Sequence, residues 1–107
     1  LTWSDLVRVS DTLAWVSDTR SGPSLDGERR LFVVEFSGLT DGEPVIDVSA
    51  SVGVVDHVVG QPNPFTGAYR VSFELDTADA ALIELRLVLL RDGAPVSETW
   101  LYRWTRA

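Results

Sequence analysis

The sequence contains no cysteine, no methionine and no lysine. Without cysteine there is no disulfide, no thiol nucleophile and no thiolate metal site, while an oxidising and a reducing compartment both stay open. Without lysine the nine cations are all arginine, and sixteen acidic residues leave a net charge of -7. Binding to phosphate backbones needs clustered positive charge, so a nucleic-acid surface is excluded as an expectation. Apolar runs such as residues 87–90 fall far short of the roughly 18 residues a membrane span needs, so no span is expected. A chain with no methionine that opens on Leu1 reads as processed or as a piece of something longer. What is present is 107 residues, 45% of them hydrophobic, enough for one domain that folds without metal or crosslink.

The apolar residues recur mostly at period two, and valine is abundant, which predicts an all-β chain. Residues 29–36 (RRLFVVEF) place Phe32, Val34 and Phe36 on one face of a strand. Asp41-Gly42 with Pro44 marks a turn, and residues 45–52 (VIDVSASV) alternate as a half-buried strand with Val48 inward. Gly53 predicts a bulge or bend before an apolar stretch at residues 54–59. Residues 61–68 (QPNPFTGA), with two prolines and a glycine, read as a loop. The cleanest amphipathic strand is residues 69–75 (YRVSFEL), with Tyr69, Val71, Phe73 and Leu75 inward. One helical turn capped by Asp76 or Thr77 is expected over residues 76–81. Residues 82–91 carry Ile83, Leu85, Leu87 and Leu89 on one face, with Val88 and Leu90 covered on the other. The Asp92-Gly93 pair signals a hairpin leading to a final aromatic strand over residues 96–104 (VSETWLYRW).

About seven short strands with turn signals between them predict an immunoglobulin-like β-sandwich, lacking the usual cysteine staple. Its expected extent is residues 29–107, with Phe32, Val34, Phe36, Val48, Val71, Phe73, Leu85 and Leu87 as core. Residues 1–28 behave differently. Three apolar clusters, including Trp3 and Trp15, are followed by a Ser/Gly/Pro-rich, charged stretch at residues 18–28 (DTRSGPSLDGE), read as the tail of a preceding domain and a linker.

Catalytic chemistry is thinly represented. Glycoside hydrolysis needs two carboxylates in a cleft, roughly 5 Å or 6.5–9.5 Å apart. Glu35, Asp47, Glu74 and Glu84 sit instead on polar strand faces, where a solvated outer face is the plain reading. His57 is the single histidine and lies in an apolar run (VVDHVV) with no nucleophile-elbow motif, so it reads as a surface or satisfied strand residue. No phosphate loop, calcium loop or histidine metal pair is present, so neither cofactor nor metal is expected. Trp100, Tyr102 and Trp104 carry more information, because period two puts all three rings on one face. They suit either a sugar platform or a core and domain interface. Trp15 and Arg20 in the segment before the expected domain are candidates for docking on a neighbour, since a purely flexible linker carries neither large rings nor a fork-shaped cation.

Four stretches in order, residues 19–22 (TRSG), 29–36 (RRLFVVEF), 63–70 (NPFTGAYR) and 97–104 (SETWLYRW), resemble the C-terminal domain of the periplasmic glucans biosynthesis proteins G and D. The resemblance spans residues 15–104. It departs from the family's pattern in an extra Leu31, in Glu35 where Asp is common, and in Ala68-Tyr69 where Gly-Trp is common. The resemblance implies a large N-terminal β-sandwich joined to this small one, export to the periplasm, and work on osmoregulated periplasmic glucans with a β-1,2-linked backbone. It places the cleft and catalytic acid of the glucan-cleaving or rearranging members in the large domain, so none of this chain's residues is expected to be catalytic. The favoured expectation is a non-catalytic accessory domain whose partners are that large domain and β-glucan. A free-standing carbohydrate-binding module and an adhesion or scaffold domain are the alternatives.

Overall fold

In the computed structural model, which describes residues 13–25, 27–40 and 42–106, the period-two segments become strands. β5 (Tyr69–Asp76) is the plainest case, with Tyr69, Val71, Phe73 and Leu75 buried and every intervening residue half-exposed. Antiparallel pairing sets its inner row against that of β2 (Arg30–Ser37), with Phe32 opposite Phe73, Val34 opposite Val71 and Phe36 opposite Tyr69. Around this pair lie β1 (Trp15–Pro23) and β4 (Val54–Pro62), giving a four-stranded sheet in the order β1-β2-β5-β4. The second sheet is built on β6 (Leu82–Arg91), which pairs with β3 (Val45–Ala50) on one side and with β7 (Ala94–Pro95) and β8 (Trp100–Thr105) on the other. With the two-residue β7 set aside, four strands face three in the order of a constant-type immunoglobulin sandwich. The described residues contain no helix.

The core is the pair of inner rows pressed together. Leu87, Leu85 and Ile83 of β6 lie opposite Trp100, Tyr102 and Trp104 of β8, so the three rings all point inward. Phe32 stacks on Phe73 with centroids 5.3 Å apart, and Trp100 stacks on Tyr102 at 5.4 Å. Edge-to-face contacts of 5.3 Å from Phe32 to Tyr102 and 6.1 Å from Phe73 to Trp100 join the sheets. Such pairs contribute about 0.5–1.5 kcal/mol each beyond area burial. Of the expected core, Phe32, Val34, Phe36, Val71, Phe73, Leu85 and Leu87 are buried, whereas Val48 is half-buried because β3 is an edge strand.

The Asp92-Gly93 turn forms as expected, with both residues at positive φ, 54° and 80°, and Arg91 paired to Ala94. Gly53, at φ 85°, makes the bend between β3 and β4, where a Cβ would strike the Asp76 carbonyl. Four expectations need correction. Residues 15–23, read as pre-domain segment and linker, are strand β1, hydrogen-bonded along β2; its polar composition reflects an edge strand. Gln61 and Pro62 belong to β4 rather than to the loop, and an edge strand tolerates the missing proline donor. No helical turn forms over residues 76–81, since the Ala78 N–H bonds to Asp76 Oδ1 and Ala78 takes φ 50°, giving a simple turn. The last strand begins at Trp100, because Ser97 turns inward: its Oγ accepts from Leu89 N–H and donates to the Glu98 carbonyl. Trp3 and the other residues of the first apolar clusters, and Asp41 of the expected turn, lie outside the described residues.

Candidate interdomain surface

Antiparallel pairing decides which segments share an end of the sandwich. Trp15 at the start of β1 pairs with Ser37, Phe36 with Tyr69, and Tyr69 with Pro62. In the other sheet Val45 pairs with Leu90, next to the 92–93 turn. The entry of the chain into β1, the 38–44 connection, the 63–68 turn and the 92–93 turn therefore lie at one end, here termed the entry end.

Trp15 is half-exposed there, with its ring over Gly38, whose φ of 81° and lack of a side chain both matter because a Cβ would collide with the indole. Further along β1, Arg20 is exposed, its Nε 2.9 Å from Asp18 Oδ2. A shallow cavity of about 220 Å³ opens between the 38–44 connection and the 63–68 turn, lined by Leu39, Thr40, Glu43, Pro62, Gly67 and Tyr69 among others. Arg91 pins one wall by donating to the Gly42 carbonyl at 3.0 Å. Burial, and secondarily the Glu43 carboxylate, push the Tyr69 phenol above its usual pKa.

The other ring candidates lie elsewhere. Trp100 is buried, and its Nε1 donates to Thr19 Oγ1 of β1 at 3.1 Å. Tyr102 is half-buried in the same ring cluster. Trp104 is half-buried near the opposite end, with the Arg106 guanidinium 5.2 Å from its ring centroid. The one-face pattern of these rings thus supplies core, and Trp100 offers no surface to a sugar. His57 is exposed on a bulge of β4, with Nδ1 3.9 Å from Asp56 Oδ2 and 3.8 Å from Glu74 Oε1.

A residue the sequence reading set aside organises the entry end. Glu35, expected on a solvated face, is 7% exposed. It points away from the ring core, yet the 63–68 turn folds over it. Arg70, directly across the strand pair, donates to Oε2 from Nη2 at 3.0 Å and from Nε at 3.3 Å. Asn63 Nδ2 reaches both carboxylate oxygens at 3.3 Å, and Thr66 Oγ1 donates to Oε1 at 3.2 Å. The Arg70 bonds, ahead of those from Asn63 and Thr66, outweigh the opposing effect of burial and hold the Glu35 carboxyl below its ordinary range. The available signal was the pairing of two motif stretches, RRLFVVEF and NPFTGAYR, which meet through this carboxylate.

The family described as "Periplasmic glucan biosynthesis protein, MdoG" matches residues 1–104. The chain belongs to that family. Glucans biosynthesis protein G of Shewanella frigidimarina is 43% identical over 111 residues, covering 98% of this chain and 20% of the relative. The protein of the same description from Bradyrhizobium diazoefficiens is 39% identical, covering 98% of the chain and 22% of the relative. One from Rhodopseudomonas palustris is 44% identical over 94 residues, covering 80% and 18%. The chain therefore spans about a fifth of the length of these family members.

Proposed function

We propose that this chain is the non-catalytic C-terminal accessory domain of a periplasmic protein that makes or processes osmoregulated periplasmic glucan with a β-1,2-linked backbone. Membership of the glucan biosynthesis family and the match to a fifth of its members' length support that reading. The observation that carries the non-catalytic part is the state of Glu35, the single buried carboxylate among the described residues. A general acid for glycoside cleavage needs a raised pKa and a free proton to give. Glu35 has the reverse, a lowered pKa and oxygens already committed to Arg70, Asn63 and Thr66. Its role is structural.

In the same reading, the chain ahead of β1 leads in from the preceding large domain, and Trp15 and Arg20 contribute to the surface that meets that domain. Incubating the chain with β-1,2-glucan and assaying reducing ends should show no turnover; turnover abolished by one Asp or Glu substitution would overturn the accessory role. A glucan titration followed by tryptophan fluorescence tests the binding-module alternative, which requires a saturable change. In the complete protein, Arg20→Ala should lower activity and loosen the domain contact while this domain stays folded. Full activity with an unchanged scattering profile would make Arg20 a bystander.

A further inference from the structure

The 63–68 turn combines a fully exposed ring with a hydrogen-bonded polar foundation. Phe65 at its tip is 96% exposed. Lone exposed apolar side chains such as Leu25 are common on protein surfaces. Beneath Phe65, however, four backbone N–H groups of the turn are hydrogen-bonded within it. Asn63 N–H donates to the Ala68 carbonyl at 2.7 Å and Gly67 N–H to the Asn63 carbonyl at 2.8 Å. Phe65 N–H donates to Asn63 Oδ1 at 3.0 Å, and Ala68 N–H to Thr66 Oγ1 at 3.2 Å. The side chains of Asn63 and Thr66 then anchor the turn on Glu35. Phe65 contributes almost no burial to this domain, yet the backbone that carries its ring is already fixed by these bonds, so ordering the turn costs little on binding, the condition that favours association.

We propose that Phe65 is a preformed docking anchor that inserts into an apolar recess of the part of the same polypeptide preceding this chain. This rests on the reading of the chain as a C-terminal accessory domain. Two observations choose that occupant. The chain enters β1 at the end of the sandwich that carries the turn, and in the order β1-β2-β5-β4 the turn joins the last two strands. At about 4.8 Å per strand it lies roughly 10–15 Å from the entry point, within reach of one neighbouring body. Trp15, half-exposed, and the cavity beside Leu39 and Tyr69 belong to the same end. A sugar is the poorer occupant, because it needs hydrogen-bonding groups around the ring, and those of Asn63 and Thr66 are turned inward onto Glu35 and the backbone.

The test uses the complete protein carrying Phe65→Ser, with Arg20→Ala as the comparator. Truncating a central aromatic anchor should raise the rate of proteolytic cleavage between the two domains about tenfold and enlarge the radius of gyration in solution scattering, while the calorimetric transition of this domain persists. Compact, protease-resistant Phe65→Ser protein overturns the proposal. If Arg20→Ala loosens the molecule in that case, the accessory-domain reading survives without the Phe65 anchor; if neither variant does, Phe65 and Arg20 are both bystanders, and the accessory-domain reading stands or falls on the glucan-turnover assay. A glucan affinity that drops in Phe65→Ser while compactness is unchanged would instead assign the ring to sugar, and would also overturn the proposal.

Discussion

The two faces of β2 hold the molecule together by different means. On the inner face, Phe32, Val34 and Phe36 join a dry row of rings and branched side chains whose stabilisation scales with apolar area. On the outer face, the carboxylate of Glu35 gathers Arg70, Asn63 and Thr66 and ties a surface turn to the sheet. The inner face is non-directional and tolerates changes that keep volume. The outer one is directional, since removing the acceptor leaves Asn63, itself buried, without its partner. The difference teaches what each can be used for. Ring packing makes a domain stable, whereas a polar cluster fixes where one loop points.

The largest effect expected from breaking this contrast is Phe73→Ala, which removes a fully buried ring that touches Phe32 and Trp100. It should cost about 3–5 kcal/mol, a large share of a small domain's stability. Chemical denaturation measures it, and an unchanged midpoint would refute the core assignment.

Glu35→Ala should cost less, about 2–3 kcal/mol, because it deletes charge-assisted bonds and leaves a buried amide unsatisfied, while Arg70, partly open to water, recovers hydration. Amide exchange should accelerate more at Phe65, Gly67 and Ala68 than in β6. A uniform acceleration would mean the cluster is part of the global core rather than a local clasp.

The pH dependence sharpens the same point. The folded Glu35 carboxyl titrates below its ordinary value of 4.5. Its contribution is therefore complete above that value and is lost as pH falls through the folded pKa. Wild-type protein should lose stability on acidification below that point, and the gap between wild type and Glu35→Gln should narrow over the same range. A gap that stays constant would place the effect elsewhere. The smallest effect belongs to Phe65→Ser. Its ring is in water, so the stability of this domain should stay within about 0.5 kcal/mol, and a larger loss in the thermal melt would show that the ring packs within this domain.

The legibility of the chain follows the same division. In β5 and β6, period two alone identified the buried rows, down to the covered second half of β6 where Val88 is buried on the outer side. The Asp92-Gly93 turn was equally readable, because both residue types accept positive φ. Edge strand β1 was not, since a strand with one open edge and an exposed face carries the serine, aspartate and glycine content of a linker. Nor was Glu35, which looks along its strand like any outward acid.

By itself, then, the sequence determined the class, the inner rows and the turns with special backbone needs, because these depend on periodicity and on residues a few positions apart. Only the tertiary structure decided that Trp100, Tyr102 and Trp104 face the core, that Glu35 is buried, and that Phe65 stands free at the entry end. Each of those depends on which segment crosses over a given face, and that is set by pairings such as Glu35 with Arg70, 35 residues apart in the chain. Alternation shows that a side chain lies on one face or the other; what covers that face is a property of the assembled sheets.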